Sequence, residues 1–199
     1  MAPDYPRLFC EMIATHARNV SPSKPRGGID CCLREISLSR HISGGLRNGA
    51  ISLPRACPPL IVDKTIVGEA RRRIDYAFVL NERIGVQDLG NILATVEVKG
   101  PVRGTFFDPD KSEGNWAPYV AKDIERQHER CRTAPGAQHY LALLLPYPEL
   151  WIRTSSLATI LDIAKATVPG ARLEECVTQT IPLSDDHPLT AFVYNVTQH

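Results

Sequence analysis

The sequence predicts a mixed α/β fold in which a small sheet is flanked by helices. Three apolar runs have the composition and spacing of strands, and they lie close together at residues 60–67, 74–80 and 92–98. Segments with helical character come before and after them. A polar turn that contains Gly85 and Gly90 joins the second run to the third, and so short a connection favours antiparallel neighbours in a meander.

The segment before the first strand predicts two helices and two irregular stretches. Residues 5–18 and residues 29–41 each place apolar side chains on one side of a helix. Residues 21–28 are rich in proline, serine and glycine, which predicts a linker. Residues 44–59 contain three glycines and three prolines, so we expect a loop there.

The segment after the third strand alternates between helices and strands. Its predicted elements, in chain order, are a long loop over residues 100–118, a charged helix from residue 116 or 118 to residue 132, a strand over 139–145, an amphipathic helix over 155–166 and two strands over 178–181 and 191–196. The charged helix is expected to stop before Pro135 and Gly136.

Composition limits the classes of protein to which the chain can belong. A hydrophobic content of 43% and a charged content of 23% over 199 residues are typical of a soluble globular protein. The net charge is only +1, so any binding of nucleic acid must come from local basic patches. No apolar run approaches the roughly 18 residues of a membrane span, and no secretory signal is visible, so we expect an intracellular, cytoplasmic protein without membrane contacts. The six cysteines show no Cys-x-x-Cys spacing, which favours reduced structural thiols.

Two of the predicted strands carry charged side chains in otherwise apolar surroundings. Glu97 and Lys99 are two residues apart on the third strand, so they share one face. Asp75 lies near the start of the second strand. Charges on a buried strand are costly unless they are paired or bind a ligand. Two carboxylates and a lysine on neighbouring strands therefore predict a site for a divalent metal and a phosphate. The alternative is a surface ion pair between Glu97 and Lys99, with Asp75 in a turn.

The order of these elements and residues resembles the core of a known superfamily. A helix precedes the three strands, Ile74-Asp75-Tyr76 begins the second strand, Val96-Glu97-Val98-Lys99-Gly100 ends the third, and a helix and a fourth strand follow. This arrangement, over residues 29–145, resembles the PD-(D/E)xK nuclease superfamily, which includes restriction endonucleases. The resemblance implies a restriction endonuclease-like core, with a central mixed β-sheet flanked by helices in the order α-β-β-β-α-β.

The resemblance also implies a domain organisation. One nuclease-like domain would span residues 1–199, with its core at about residues 29–146. Residues 1–28 would form an N-terminal helical extension. Residues 147–199 would add a C-terminal helix and strands.

The activity that the resemblance implies is metal-dependent hydrolysis of phosphodiester bonds, with DNA as the expected substrate. Asp75, Glu97 and the main-chain carbonyl of Val98 would bind Mg²⁺, for which Mn²⁺ could substitute. Lys99 would orient the attacking water and offset negative charge on the phosphate. Cutting both strands at a symmetric site would favour a two-fold dimer, so a homodimer is a candidate assembly. The alternative is a catalytically inactive nuclease-fold protein that serves as a nucleic-acid-binding or protein-interaction module.

Two further groups of residues are candidates on weaker grounds. Glu35, a further catalytic candidate, matches an acidic residue that many superfamily members carry on the first core helix, where it assists metal binding or holds a metal-bound water. A solvated helix glutamate is the alternative. The run of residues 123–127 resembles a RecB-type pattern, except that Cys131 stands where that pattern has a tyrosine. Gln127 and Lys122 could accordingly contact the substrate, or they could lie on a solvated face.

The densest basic run in the chain is Arg71, Arg72 and Arg73, next to the predicted site. Arginine side chains at this place could bind the phosphate backbone, which supplies affinity without sequence specificity. The alternative is a soluble turn.

Overall fold

The computed structural model describes residues 3–19, 35–53, 57–65, 73–100, 109–146, 156–182 and 188–198. In these ranges the helices are α1 (Tyr5–Asn19), α2 (Glu35–Arg47), α3 (Pro109–Thr133) and α4 (Ser156–Ala166). The strands are β1 (Leu60–Thr65), β2 (Arg73–Val79), β3 (Ile92–Lys99), β4 (Gln138–Pro146), β5 (Ala171–Pro182) and β6 (Pro188–Gln198), and a short 3₁₀ helix (Leu89–Asn91) precedes β3.

The six strands form one mixed sheet in the order β1-β2-β3-β4-β6-β5. β1, β2 and β3 form an antiparallel meander, as their short connections predict. β4 lies parallel to β3, and α3 makes the crossover between them. β6 and β5 extend the sheet with antiparallel pairing. The predicted mixed sheet flanked by helices is therefore confirmed.

One hydrophobic cluster covers the face of the sheet that α1 and α2 pack against. Phe9 and Met12 of α1 and Leu38 of α2 contact strand residues that include Tyr76 and Val96. The ring centroids of Phe9 and Tyr76 are 5.2 Å apart in an edge-on arrangement, which is favourable for two aromatic rings. This face is apolar, so the alternation of β3 directs its apolar residues here and its charged residues to the opposite face.

A second hydrophobic cluster joins α3 and α4 to that opposite face. Trp116 and Ile124 of α3 and Ile160 of α4 are buried against residues of β4 and β6, among them Leu143 and Phe192. This cluster fixes α3 on the sheet. The polar side of α3 is thereby brought over β3, where Glu97 and Lys99 lie.

The bounds of several elements differ from those predicted. The predicted loop over residues 100–118 is wrong from residue 109 onward, because α3 begins at Pro109 and continues through Pro118. An interior proline removes a helical hydrogen bond, but burial of Trp116 and Val120 on both sides of Pro118 stabilises the helix there. The predicted loop over residues 44–59 is also wrong at its start, since α2 continues to Arg47.

β5 is longer than the predicted strand over residues 178–181. Its first half alternates exposed polar side chains with half-buried ones, which is typical of an edge strand. The linker predicted over residues 21–28 and the start of the helix predicted over 29–41 lie outside the described residues. No described helix combines the length and the hydropathy that crossing a bilayer requires.

Candidate active site

β2 and β3 bring two of the predicted acids together. Tyr76 pairs with Val96 in the antiparallel register, so the preceding residue Asp75 lies opposite Glu97 and on the same face. The Asp75 Oδ2 accepts a hydrogen bond from the backbone N–H of Val98 at 2.9 Å. The Asp75 carboxylate is therefore held against the segment that contains Glu97, Val98 and Lys99.

Lys99 forms an ion pair with a carboxylate of α3. Its Nζ lies 3.0 Å from Asp123 Oδ2, and the Asp123 side chain is only 1% exposed whereas that of Lys99 is 14% exposed. Lys99 is the last residue of β3, so its ammonium lies where the strand reaches the edge of the buried region. The lysine is thus held in place by an acid that comes from a different element.

Two arginines of α3 contact the carboxylate of Glu97. Its Oε1 accepts a hydrogen bond from Arg130 Nη1 at 2.5 Å, and its Oε2 lies 3.5 Å from Arg126 Nη2. Arg126 also forms an ion pair with Asp123. A continuous chain of ion pairs therefore runs from Arg130 through Glu97, Arg126 and Asp123 to Lys99. We call these five residues together with Asp75 the ion-pair network.

Arg130 lies next to a cluster of buried polar side chains, one of which, Gln127, bonds its guanidinium. Gln127 Oε1 accepts a hydrogen bond from Arg130 Nη1 at 2.9 Å and another from Thr95 Oγ1 at 2.9 Å. The Thr95 hydroxyl is also 2.9 Å from His139 Nδ1. Burial lowers the pKa of His139 to about 4, with smaller effects from nearby groups, so the imidazole is neutral near neutral pH. Arg130 Nη2 donates to the carbonyl of Arg73 at 2.9 Å.

The remaining predicted residues occupy different places. Gln127 is fully buried in the polar cluster just described, and its Nε2 donates to the Tyr140 carbonyl at 2.5 Å. Lys122 is exposed on α3, with its ammonium 5.8 Å from the centroid of the Tyr119 ring. Arg73 is the exposed first residue of β2.

Three predicted residues are only partly described or not described. Glu35 begins α2, but its side chain lies outside the described part of the structure. Arg71 and Arg72 also lie outside the described residues. Among the predicted residues, the structure therefore brings together Asp75, Glu97, Val98, Lys99 and Gln127.

The oxygen atoms at this site are of the kind that magnesium binds, but one contact to Glu97 would have to open. Magnesium takes hard oxygen ligands, often one or two carboxylates with several waters. Asp75 and Glu97 supply two carboxylates, and the carbonyl of Val98 is a third oxygen on the same segment. Within the part of the chain that the structure describes, no group of three or more histidine, cysteine, aspartate or glutamate side chains could hold a metal ion. A metal would therefore depend on two carboxylates, and the Arg126 contact with Glu97 Oε2 would have to open.

Sequence reasoning missed most of the residues that surround Glu97 and Lys99. Asp123, Arg126 and Arg130 follow one another at three- and four-residue intervals on α3, so they lie on one side of the helix. Asp123 and Arg130 are buried even though they are charged. The sequence signal that could have identified these residues is a polar stripe on α3 next to the apolar stripe of the same helix.

Comparisons with family models, with curated proteins and with solved structures found no match to this chain. Function is therefore inferred from the residues of the site itself.

Proposed function

We propose that the protein is a metal-dependent nuclease with a restriction endonuclease-like core, which hydrolyses phosphodiester bonds, with DNA as the expected substrate. The observation that supports this most strongly is the position of Asp75 opposite Glu97, with Lys99 on the same face of β3. These three side chains lie in a fold whose helix, three-strand meander, crossover helix and parallel strand follow the expected order. A surface ion pair would not explain why Glu97 is almost completely buried.

The roles of the site residues follow from their positions. Asp75, Glu97 and the carbonyl of Val98 would hold Mg²⁺ or Mn²⁺, which when bound would acidify a water and stabilise charge on the phosphoryl oxygens. Lys99 would donate a hydrogen bond to the attacking water or to a phosphate oxygen. Asp123 limits the movement of Lys99, and Arg130 limits the movement of Glu97, so both groups are oriented before a substrate arrives.

The reaction is a simple hydrolysis. The oxygen of a water molecule forms a bond to phosphorus while the bond from phosphorus to one ester oxygen breaks. A proton from the water ends on the departing oxygen, which becomes a hydroxyl group. The other product ends in a phosphate monoester, so no oxidant or further reactant is needed.

A second candidate function has its own supporting observation. Both oxygens of Glu97 and the ammonium of Lys99 already have charged partners in this structure. Such a network also suits a nuclease-fold protein that no longer binds metal and serves as a nucleic-acid-binding or protein-interaction module.

A cleavage panel tests the proposed function. Duplex, single-stranded and branched DNA and single-stranded RNA are incubated with the protein in Mg²⁺, in Mn²⁺ and in EDTA. We expect cleavage that EDTA abolishes, and a loss of at least about a hundredfold in rate for Asp75→Asn and for Lys99→Ala. Matched controls are Asp162→Asn and Lys165→Ala on α4, which change the same residue types in an exposed pair.

The panel also separates the two candidate functions. Full activity of both site variants, or cleavage that persists in EDTA, would overturn the proposed nuclease site. Binding of nucleic acid without cleavage in either metal would support the inactive module. Circular dichroism of each variant establishes that a loss of activity is not a loss of fold.

A further inference from the structure

We infer that Arg126 is a phosphate-responsive latch, which blocks the metal site until nucleic acid binds and then moves to the phosphate. This inference rests on the proposed nuclease function and adds a regulation of the same site. Arg126 pairs with Asp123 and lies 3.5 Å from Glu97 Oε2. Its guanidinium thus occupies the side of the Glu97 carboxylate that Arg130 leaves open.

Arg126 is the less buried of the two arginines that contact Glu97. Arg130 has a side chain that is 8% exposed, and it is held by Glu97, Gln127 and the carbonyl of Arg73. The Arg126 side chain is 34% exposed, and its contact with Glu97 is 1.0 Å longer, at 3.5 Å against 2.5 Å. Opening the Arg126 contact with Glu97 therefore costs less than opening the Arg130 contact. A phosphate that draws Arg126 away must also replace its ion pair with Asp123, which keeps Lys99 as a partner.

Arg126 also carries a donor that is suited to an anion. Its buried Nε has no hydrogen-bond partner within the described ranges. Buried donors are normally satisfied, so this Nε needs a partner such as an ordered water or a bound ligand. The guanidinium presents Nε and Nη donors in a planar fork that matches two oxygens of a phosphate. A phosphodiester would satisfy the Nε donor that the protein leaves unpaired.

The charges of the network explain why Arg126 would oppose metal binding and why a bound phosphate would favour it. The network contains three carboxylates, Asp75, Glu97 and Asp123, and three basic side chains, Lys99, Arg126 and Arg130. A divalent cation that enters this balanced group meets the positive charge of Arg126 directly beside Glu97. A phosphate that draws Arg126 away frees Glu97 Oε2 and removes that repulsion. By linkage, metal and nucleic acid must then raise each other's affinity by the same factor.

Lys122 lies close enough to Arg126 on α3 to contact the same nucleic acid strand. It is exposed on α3 four residues before Arg126, so the two basic side chains lie on the same side of the helix. A nucleic acid strand that follows α3 would meet Lys122 and Arg126 at successive phosphates. The occupant of this surface is therefore expected to be a polyanion with repeated phosphates.

Metal titration without nucleic acid tests the latch directly. Binding of Mn²⁺ to the full chain is measured by calorimetry for the wild type and for Arg126→Gln. We expect the variant to bind Mn²⁺ about tenfold more tightly than the wild type, because the blocking charge is gone. Arg132→Gln removes the same charge from an exposed position on the same helix, and its Mn²⁺ affinity should equal that of the wild type. Equal Mn²⁺ affinity of Arg126→Gln and the wild type would overturn the inference.

A second titration measures the coupling. The same calorimetry is repeated in the presence of a phosphorothioate DNA oligonucleotide that resists cleavage. We expect the oligonucleotide to raise the Mn²⁺ affinity of the wild type by about tenfold and that of Arg126→Gln by much less. Arg126→Lys keeps the charge but cannot bridge two carboxylates in the same way, so an intermediate Mn²⁺ affinity is expected. An oligonucleotide effect of the same size in all three proteins would contradict the latch.

The two proposals fail in different ways. If the wild type binds no Mn²⁺ with or without the oligonucleotide, the proposed metal-dependent nuclease is wrong. If the wild type binds Mn²⁺ and cleaves DNA, but Arg126→Gln binds Mn²⁺ no more tightly, only the latch is wrong.

Discussion

Replacing Arg130 with methionine should destabilise the protein strongly and make its stability depend on magnesium. Arg130 Nη1 is bonded to Glu97 Oε1 at 2.5 Å, and both side chains are nearly inaccessible to water. Methionine retains much of the volume but carries no charge. The Arg130→Met variant therefore leaves the Glu97 carboxylate buried with a weaker partner, and it also removes the hydrogen bond to the Arg73 carbonyl.

The expected loss follows from the buried charge. Removing one partner of a buried ion pair costs about 3–5 kcal/mol. Arg126 remains 3.5 Å from Glu97 and compensates in part. We therefore expect about 3 kcal/mol, which corresponds to a fall in Tm of roughly 6–12 °C for a chain of this size.

Chemical and thermal unfolding of the wild type and four variants measures this loss. The set is the wild type, Arg130→Met, Glu97→Gln, and the double variant Arg130→Met/Glu97→Gln, with the exposed Arg132→Met as the matched control. The double variant has no unpaired carboxylate, so it should regain about 2 kcal/mol relative to Arg130→Met. The control should lie within about 0.5 kcal/mol of the wild type.

Magnesium connects this prediction to the proposed function. A metal bound to Glu97 would replace the missing charge, so Mg²⁺ should stabilise Arg130→Met more than the wild type. At a concentration a hundred times the dissociation constant, the gain is about 2.7 kcal/mol. A loss below about 1 kcal/mol in Arg130→Met would refute the buried pair. A large loss that Mg²⁺ does not reverse would support the buried ion pair but contradict the metal site.

Two further predictions concern the groups that hold the site in place. The pKa of His139 is lowered to about 4, so the neutral imidazole contributes stability above about pH 6.5 that is lost as the pH falls toward 4. Urea unfolding near pH 7 and near pH 5 should differ by about 2 kcal/mol more for the wild type than for His139→Phe, and equal differences would contradict the assignment. Asn91 is buried in the turn between β2 and β3, where its Nδ2 donates to the carbonyls of Asn81 and Gly85 at 2.8 Å and 2.7 Å. Asn91→Ala should lower the free energy of unfolding by about 2 kcal/mol, and an unchanged value would show that the turn does not depend on it.

The sequence was sufficient to predict the pair of strands that carries the site. β2 and β3 are rich in apolar and β-branched residues, and their alternation determines which side chains share a face. Antiparallel strands bring Asp75 opposite Glu97 only in one register, and the irregularity between Phe78 and Val79 gives β2 and β3 that register. Residue types therefore predict that the two acids lie on neighbouring strands, whereas the register that places them on the same face depends on a bulge that they do not reveal.

The partners of Glu97 and Lys99 could not be predicted in the same way. They come from α3, and the face of α3 that covers β3 carries Asp123 and Arg130 instead of apolar residues. A prediction from the pattern of hydrophobic residues places charged side chains in solvent. The pattern carries no information about partners on other elements that would allow a charge to be buried. The N-terminal part of α3 was missed for a related reason, since Pro118 predicts a helix start and only the burial of its neighbours contradicts this.

The exposure of the network residues favours an anion as the first ligand to arrive. The Glu97 and Asp123 side chains are each 1% exposed, whereas Lys99 is 14% exposed and Arg126 is 34% exposed. A molecule that approaches from solvent therefore meets the lysine and the arginine before it meets these two carboxylates. Apolar residues of similar size would stabilise the fold as well as a buried ion pair does, so stability alone does not explain the arrangement. A cationic outer side over Glu97 and Asp123, with Asp75 half-buried beside them, is instead what the proposed nuclease would need for a phosphate to bind before the metal.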